Sequence, residues 1–156
     1  MSIPTGYFVL GGGISFILLF FLLLKILGIG VRKQKVPPKT LKKFKKFMKY
    51  FEFVWKDKYF KHVFGDVRKY LEKYMKRIEK KLAKGKIDDV AIDYLMNSLQ
   101  MYLIERGEAI FEGYAHGTKY TQKTLDTAEK GMKLATLGIK VLDEIKSYKK
   151  YRLFIF

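Results

Sequence analysis

The hydrophobic pattern begins with an uninterrupted apolar run near the N-terminus. Residues Tyr7 to Leu24 include no charged side chain, and Lys25 is the first basic residue of the chain. About 18 or more consecutive apolar residues are enough to cross a bilayer as an α-helix. A cleaved secretory signal fits less well, because no basic residue precedes the run and no small-residue cleavage site follows it. The run therefore predicts one N-terminal transmembrane helix.

Small residues occupy the first half of this predicted span. Small side chains three or four positions apart let two membrane helices approach closely, so they are candidates for helix packing within a bilayer. The alternative is that they reflect only the general abundance of glycine in membrane helices. The candidates are Gly11, Gly12, Gly13 and Ser15.

Apolar residues at spacings of three and four predict two amphipathic helices after a proline-containing linker. The first begins at a Thr40 N-cap and carries an apolar stripe rich in phenylalanine opposite a lysine-rich side. Gly65 ends it, Asp66 caps the second helix, and Gly85 ends that one. The cationic sides of both helices are expected to face away from the protein core.

Two further helices are predicted in the second half of the chain. The third covers about 88–105 and extends as far as Ala115; it is apolar nearly all round, which is typical of a helix in the middle of a bundle. The fourth runs from Thr118 or Thr121 to Lys150. The longest strand-like alternation is the short C-terminal end of the chain.

Together these elements predict an all-α protein: one N-terminal transmembrane helix followed by a basic bundle of about four helices. The predicted organisation is an anchor at 1–31, a basic linker at 32–40 and a helical domain at 41–156. Within that domain, residues 41–86 are basic and residues 87–156 are neutral overall.

The net charge of +17 lies entirely beside the predicted span. Residues 25–86 contain 22 basic and 5 acidic side chains, whereas residues 87–156 contain 10 of each. Positive charge flanking a span is retained on the cytoplasmic side of a membrane. We therefore expect the N-terminus outside and the C-terminal domain in the cytoplasm or in a virion interior.

The basic residues nearest the span are the candidate site. A lysine-rich amphipathic helix beside a membrane anchor is typical of segments that bind anionic lipid headgroups, with about 1 kcal/mol contributed by each lysine. We therefore expect these residues to bind lipid headgroups or other phosphates. They are Arg32, Lys33, Lys35, Lys39, Lys42, Lys43, Lys45, Lys46, Lys49 and Lys56.

Two other interpretations of the same lysines stay open. Tyr50 and Phe53 on the polar side could stack on bases while the lysines contact nucleic-acid phosphates. The preponderance of lysine over arginine disfavours base-specific readout, so such binding would be independent of sequence. The third interpretation is a solvated cationic surface whose apolar side packs the bundle.

The pattern of reactive residues disfavours enzymatic activity. The chain has no cysteine, which excludes disulfides and thiolate sites, and its two histidines, His62 and His116, lie in none of the usual zinc motifs. Neither a nucleotide-binding phosphate loop nor a serine nucleophile motif occurs. We expect no catalytic residue, no metal and no cofactor.

Acidic residues form two small groups that could be mistaken for metal sites. Glu105, Glu108, Glu112 and His116 share one helical face, which we interpret as a solvated acidic face pairing with the lysine-rich helices. A second group, of three aspartates, is interpreted as the favourable charge at a helix start. Its members are Asp88, Asp89 and Asp93.

The sequence thus favours a non-enzymatic membrane structural or assembly protein, in a virion or a large membrane complex. Its expected partners are anionic membrane lipids, together with further copies of itself or a protein complex. The first alternative is a membrane tether for DNA or RNA, although nucleic acid is not the favoured partner, and the second is an accessory subunit of a membrane enzyme or transport complex. Abundant lysine beside few thermolabile side chains suggests a thermophilic source.

Overall fold

The computed structural model of the protein describes residues 16–23, 29–33, 35–149 and 151–155. These residues belong to two compact units. Residues 35–149 form the first unit, which is entirely helical, so the expected all-α class is confirmed for it. Both strands and the short helix at 16–23 belong to the second unit.

The helical unit contains six α-helices, two of which are joined by a π-helical turn. The bounds are α1 (Pro38–Trp55), α2 (Lys58–Phe64), α3 (Arg68–Ala83), α4 (Asp89–Leu99), the π-helical turn (Gln100–Glu105), α5 (Arg106–Ala115) and α6 (Gln122–Ser147). The first predicted helix corresponds to α1 with α2, the second to α3, the third to α4 with α5, and the fourth to α6.

Several local signals act as the sequence predicts. Gly85 follows α3 with a φ of 69°, a conformation that glycine adopts without steric cost. The Asp88 carboxylate accepts a hydrogen bond from the Ala91 amide at 3.1 Å, and thereby caps α4. Thr121 caps α6 by accepting from the Thr124 amide at 3.2 Å.

Two predicted N-caps are wrong. The first helix begins at Pro38, where the fixed φ of proline suits the first turn, and Thr40 is instead buried within the helix at 1% exposure. The second predicted cap, Asp66, precedes Val67, which is the actual N-cap residue of α3. The Asp66 carboxylate makes an ion pair with Lys61 at 3.8 Å.

An aromatic ladder forms the core side of α1 and α2. Successive rings along it lie with their centroids 4.7 to 6.4 Å apart. Each ring is at most 6% exposed, so the ladder is fully enclosed by the bundle. Its members are Phe44, Phe47, Phe51, Trp55, Phe60 and Phe64.

The central helix of the bundle is α6, which packs against α1, α2, α4 and α5. Two glycines of α6 leave the space that two rings of the aromatic ladder occupy. A Cβ atom added at Gly131 would lie 2.2 Å from the Phe64 ring, and one added at Gly138 would lie 2.5 Å from the Phe47 ring. These distances leave no room for a side chain, so the rings rest on the backbone of α6.

The prediction that the third helix occupies the centre of the bundle is wrong. One side of α4 packs into the core, but Val90 and Tyr94 are 56% and 52% exposed on the other side, and Met101 in the following π-helical turn is 53% exposed. Its apolar residues therefore serve two surfaces, one inside the protein and one on its exterior.

The π-helical turn follows from the spacing of small and apolar residues along this helix. Buried positions recur every four residues at Ala91, Leu95, Leu99, Leu103 and Gly107. In an α-helix a four-residue step advances about 400°, so such a series drifts by about 40° at each step. The wider π turn offsets this drift and keeps the later positions directed at α6.

The second unit contains a two-stranded antiparallel sheet formed by β1 (Ile29–Lys33) and β2 (Tyr151–Ile155). The register pairs Ile29 with Ile155 and Lys33 with Tyr151. The sequence patterns did not predict this pairing, because β1 falls across the boundary between the predicted anchor and linker.

Residues 16–23 are helical, and every one of these eight apolar side chains is exposed, by 47% to 69%. The rest of the predicted span from Tyr7 lies outside the described residues. No helix in the described ranges is both long and apolar enough to cross a membrane.

We predict that Gly138→Ala destabilises the helical unit. Alanine gains about 1 kcal/mol of helix propensity, but its methyl group must displace Phe47 and Leu99, and overpacking of a core costs about 1–3 kcal/mol. Urea unfolding followed by the fluorescence of Trp55, the single tryptophan, measures the change. Combination with Phe47→Leu should make the Gly138→Ala cost smaller, and an unchanged or higher stability of Gly138→Ala would contradict the packing.

Candidate anionic-surface site on helix α1

Helix α1 presents a lysine face, defined as the exposed lysines from Lys39 to Lys56. They lie opposite the aromatic ladder and point away from the core. Lys35, which precedes the helix, is exposed as well. The predicted site residues in this part of the chain are therefore all accessible: Lys35, Lys39, Lys42, Lys43, Lys45, Lys46, Lys49 and Lys56.

The apolar side of α1 is not available to a membrane in this fold. Phe44, Phe47 and Phe51 are 2%, 0% and 0% exposed, and Trp55 is 4% exposed. A helix that lies in a membrane interface buries its apolar side among the lipids, but here the protein core already occupies that side. Contact with an anionic surface therefore involves the lysines.

One aromatic side chain lies among the lysines. Phe53 is 72% exposed and follows Lys49 by four positions and Lys46 by seven, which places all three on one side of the helix. Tyr50, the other candidate for stacking on bases, is partly buried against the core. Of these two rings, the lysine face therefore carries one that is largely exposed, that of Phe53.

Lys43 is the member of the lysine face that an acidic side chain neutralises. Its ammonium lies 3.2 Å from the Glu144 carboxylate on α6, which also accepts a hydrogen bond from the Thr40 hydroxyl at 2.9 Å. The Thr40 hydrogen bond and then the Lys43 ammonium hold the pKa of Glu144 below its ordinary value. Within the described residues, the other lysines of this face make no ion pair.

A residue outside the predicted set extends the site. Lys140 on α6 lines a shallow apolar cleft together with Lys43, Lys46 and the Glu144 that pairs with Lys43, and Leu137 and Val141 complete its lining. No pattern in the sequence marks this lysine, because it belongs to the neutral half of the chain. Only the packing of α1 against α6 brings the three ammonium groups to one place.

The remaining predicted site residues lie elsewhere. Arg32 and Lys33 are backbone positions in β1, and their side chains lie outside what the structure describes. The helix-packing candidates of the predicted span, namely Gly11, Gly12, Gly13 and Ser15, lie outside the described residues.

The acidic face of the third predicted helix is solvated, as expected. The prediction that it pairs with the lysine-rich helices is wrong for the part of the chain that the structure describes. Glu105, Glu108 and Glu112 are exposed, and no ion pair involves them in the part of the chain that the structure describes. His116 makes a local hydrogen bond from its Nδ1 to the Glu112 carbonyl at 2.8 Å. The described residues hold no group of three potential metal ligands.

The three aspartates at the start of α4 act as helix-start and bridging charges. Asp88 caps the helix and also pairs with Arg77 at 2.7 Å. Burial raises the pKa of Asp88, but the Ala91 amide and the Arg77 guanidinium outweigh it and leave the pKa below its ordinary value. Asp89 pairs with Lys149, and Asp93 pairs with Lys146 at 2.6 Å, so both connect α4 to the end of α6.

Comparison with known proteins gives no relationship from which a role could be transferred. No family model matches the chain, and no curated protein or solved structure matches it either.

We predict that Glu144→Gln lowers stability at neutral pH and that the effect disappears in acid. Because the folded-state pKa of Glu144 is lowered, its stabilisation is complete above the unfolded pKa of about 4.3 and is lost as the pH falls through the folded pKa. Urea unfolding at several pH values, followed by Trp55 fluorescence, tests this.

Asp143→Asn is the matched control, since Asp143 is exposed and makes no ion pair within the described residues. A Glu144→Gln difference that is equal at pH 7 and pH 3 would contradict the electrostatic account of this contact.

Proposed function

We propose that the chain is a non-enzymatic, membrane-anchored structural or assembly protein whose lysine face binds anionic lipid headgroups. The observation that carries this proposal is the lysine face itself. It is a row of exposed ammonium groups, and within the described residues Lys43 is its only member that makes an ion pair. Such a row has no role in the core, and it raises the local positive potential.

The apolar N-terminal run supports the anchoring part of the proposal. It is free of charge from Tyr7 to Leu24, and the described residues 16–23 are helical with exposed apolar side chains. The one-sided positive charge after it supports a topology with the N-terminus outside and the helical unit in the cytoplasm or a virion interior.

The proposed binding is electrostatic and peripheral. Each lysine near an anionic leaflet contributes about 1 kcal/mol, and this contribution declines within a Debye length of about 8 Å at physiological salt. Phe53 is placed to enter the headgroup region beside Lys46 and Lys49, because it is the exposed ring of that surface. Lys140 extends the charged area toward α6.

The outer surface of α3 and α4 supports the assembly part of the proposal. Large apolar side chains remain exposed there, and such surfaces favour protein–protein contact. In this proposal the chain is one component of a virion or a large membrane complex, with the lysine face toward lipid.

We predict that the double reversal Lys42→Glu/Lys46→Glu sharply weakens binding to anionic vesicles. Loss of two lysine contacts alone removes about 2 kcal/mol, or roughly a thirty-fold decrease in partitioning, before the added repulsion. The measurement is flotation of residues 35–149 with phosphatidylglycerol-containing and neutral vesicles across a salt series. Circular dichroism and Trp55 fluorescence first establish that this fragment and its variants are folded.

The matched control is Lys119→Glu/Lys130→Glu, which changes the net charge equally at exposed positions outside α1. Equal losses in both variants would contradict a specific role of α1. Wild-type binding to duplex DNA that is stronger than binding to anionic vesicles, and that is lost with rising salt, would favour the nucleic-acid tether instead. Binding to neither would contradict both.

A further inference from the structure

Four tyrosines form a cluster across the seam between α3 and α4. Tyr74 stacks on Tyr94 with ring centroids 5.6 Å apart, and Tyr70 meets Tyr102 edge-on at 6.1 Å. Tyr70 and Tyr74, one helical turn apart, are also in edge contact at 5.1 Å. The rings therefore hold one another in place, which lowers the side-chain entropy that these tyrosines would lose on binding a partner.

Three of the four tyrosines are exposed, Tyr74 is partly buried, and the cluster continues into other apolar side chains. Tyr94 is 52% exposed, and Val90 and Met101 beside it on the outer side of the helix are 56% and 53% exposed. Tyr102 and Met101 both lie in the π-helical turn, an irregularity that often marks functional sites. We define the tyrosine patch as Tyr70, Tyr74, Tyr94, Tyr102, Val90 and Met101.

Surfaces of this composition are typical of protein–protein interfaces. Tyrosine and methionine are enriched in interface cores, and the residues that dominate binding energy are most often tyrosine, tryptophan or arginine. Tyr74 is partly buried against the core, whereas the other five side chains are exposed, unlike the buried leucines on the opposite side of α4.

Opposite charges flank the tyrosine patch on its two sides. Lys69 and Lys73 lie on the outer face of α3, and Glu105 and Glu108 extend from the π-helical turn into α5. All four are exposed, and none makes an ion pair within the described residues. A surface with a positive strip on one side of an apolar centre and a negative strip on the other is complementary to itself.

We propose that the tyrosine patch binds a second copy of this chain, in a two-fold dimer. A two-fold axis parallel to the α3–α4 seam places α3 of each copy against α4 and α5 of the other. This rotation preserves height along the seam. Since Tyr70 touches Tyr102, Lys69 is level with the π-helical turn, and its ammonium comes opposite Glu105 and Glu108 of the other copy.

The charge pattern favours a second copy over an unrelated partner. A purely acidic partner would leave Glu105 and Glu108 facing like charge, and a purely basic partner would do so for Lys69 and Lys73. The dimer rests on the proposed function, because it supplies the assembly contact of that protein, but it uses other helices than the lysine face.

Charge exchange tests the dimer in the full chain purified in detergent. The variants are Lys69→Glu/Lys73→Glu and Glu105→Lys/Glu108→Lys, both at exposed positions. Each alone should raise the dimer dissociation constant at least about tenfold, because like charges then face each other. An equimolar mixture of the two should recover the dimer, since position 69 of one copy then again faces residues of opposite sign at positions 105 and 108 of the other. Sedimentation analysis measures the association.

The control Lys119→Glu/Lys130→Glu should leave the dissociation constant unchanged, and Trp55 fluorescence verifies that each variant is folded. The proposal is supported only if each variant loses the dimer and the equimolar mixture recovers it. A monomeric wild type, a dimer insensitive to either reversal, or a mixture that stays monomeric would each overturn it. Vesicle flotation of the same variants separates the two proposals: intact lipid binding with no dimer contradicts only the dimer, and a dimer without lipid binding contradicts only the headgroup site.

Discussion

The helical unit depends on the close approach of two phenylalanine rings to the backbone of α6. Phe64 rests on Gly131 and Phe47 rests on Gly138, seven residues apart on the same side of the helix. Because protein interiors are packed as densely as organic crystals, such contacts determine both the distance and the rotation of the helices that meet there. The ring of Phe47 cannot reach Gly138 unless the whole apolar stripe of α1 faces inward. The orientation of α1, and with it the lysine face, therefore follows from Gly138 on another helix, and Gly131 acts in the same way on α2 through Phe64.

Burial of the apolar stripe determines what kind of contact α1 can make. A free amphipathic helix would have two ways to hold a membrane, by its apolar side and by its charges. In the folded unit the core occupies the first, so the second remains, with Phe53 as the exposed ring. The repulsion among the lysines of this face is tolerated because they point into solvent, where the high dielectric constant and dissolved salt weaken it. A nearby anionic surface relieves the same repulsion, which makes the proposed binding favourable.

Local features of this fold were predictable from the sequence, and features that depend on distant packing were not. The inward stripe of α1, the glycine after α3 and the caps at Asp88 and Thr121 are each encoded within a few residues. Most predicted site lysines were found exposed for the same reason, since helical periodicity alone assigns their side. Other features depend on contacts between segments far apart in the chain. They are the place of Lys140 beside α1, the central position of α6 and the β1–β2 pairing. The glycines and alanines of α6 also weaken its hydrophobic signal, although small residues are what allow close packing on every side.

The third predicted helix illustrates how one pattern can serve two surfaces. Its apolar residues all round suggested complete burial, but a helix apolar on both sides is equally suited to a core on one side and a partner on the other. The π-helical turn favours the second arrangement, because it keeps Leu103 and Gly107 on α6 while Met101 and Tyr102 stay at the surface. The acidic residues that follow have no basic partner within the described residues, although the chain has a large excess of lysine. A fold that keeps opposite charges apart on either side of an exposed apolar patch keeps both available for contact between copies.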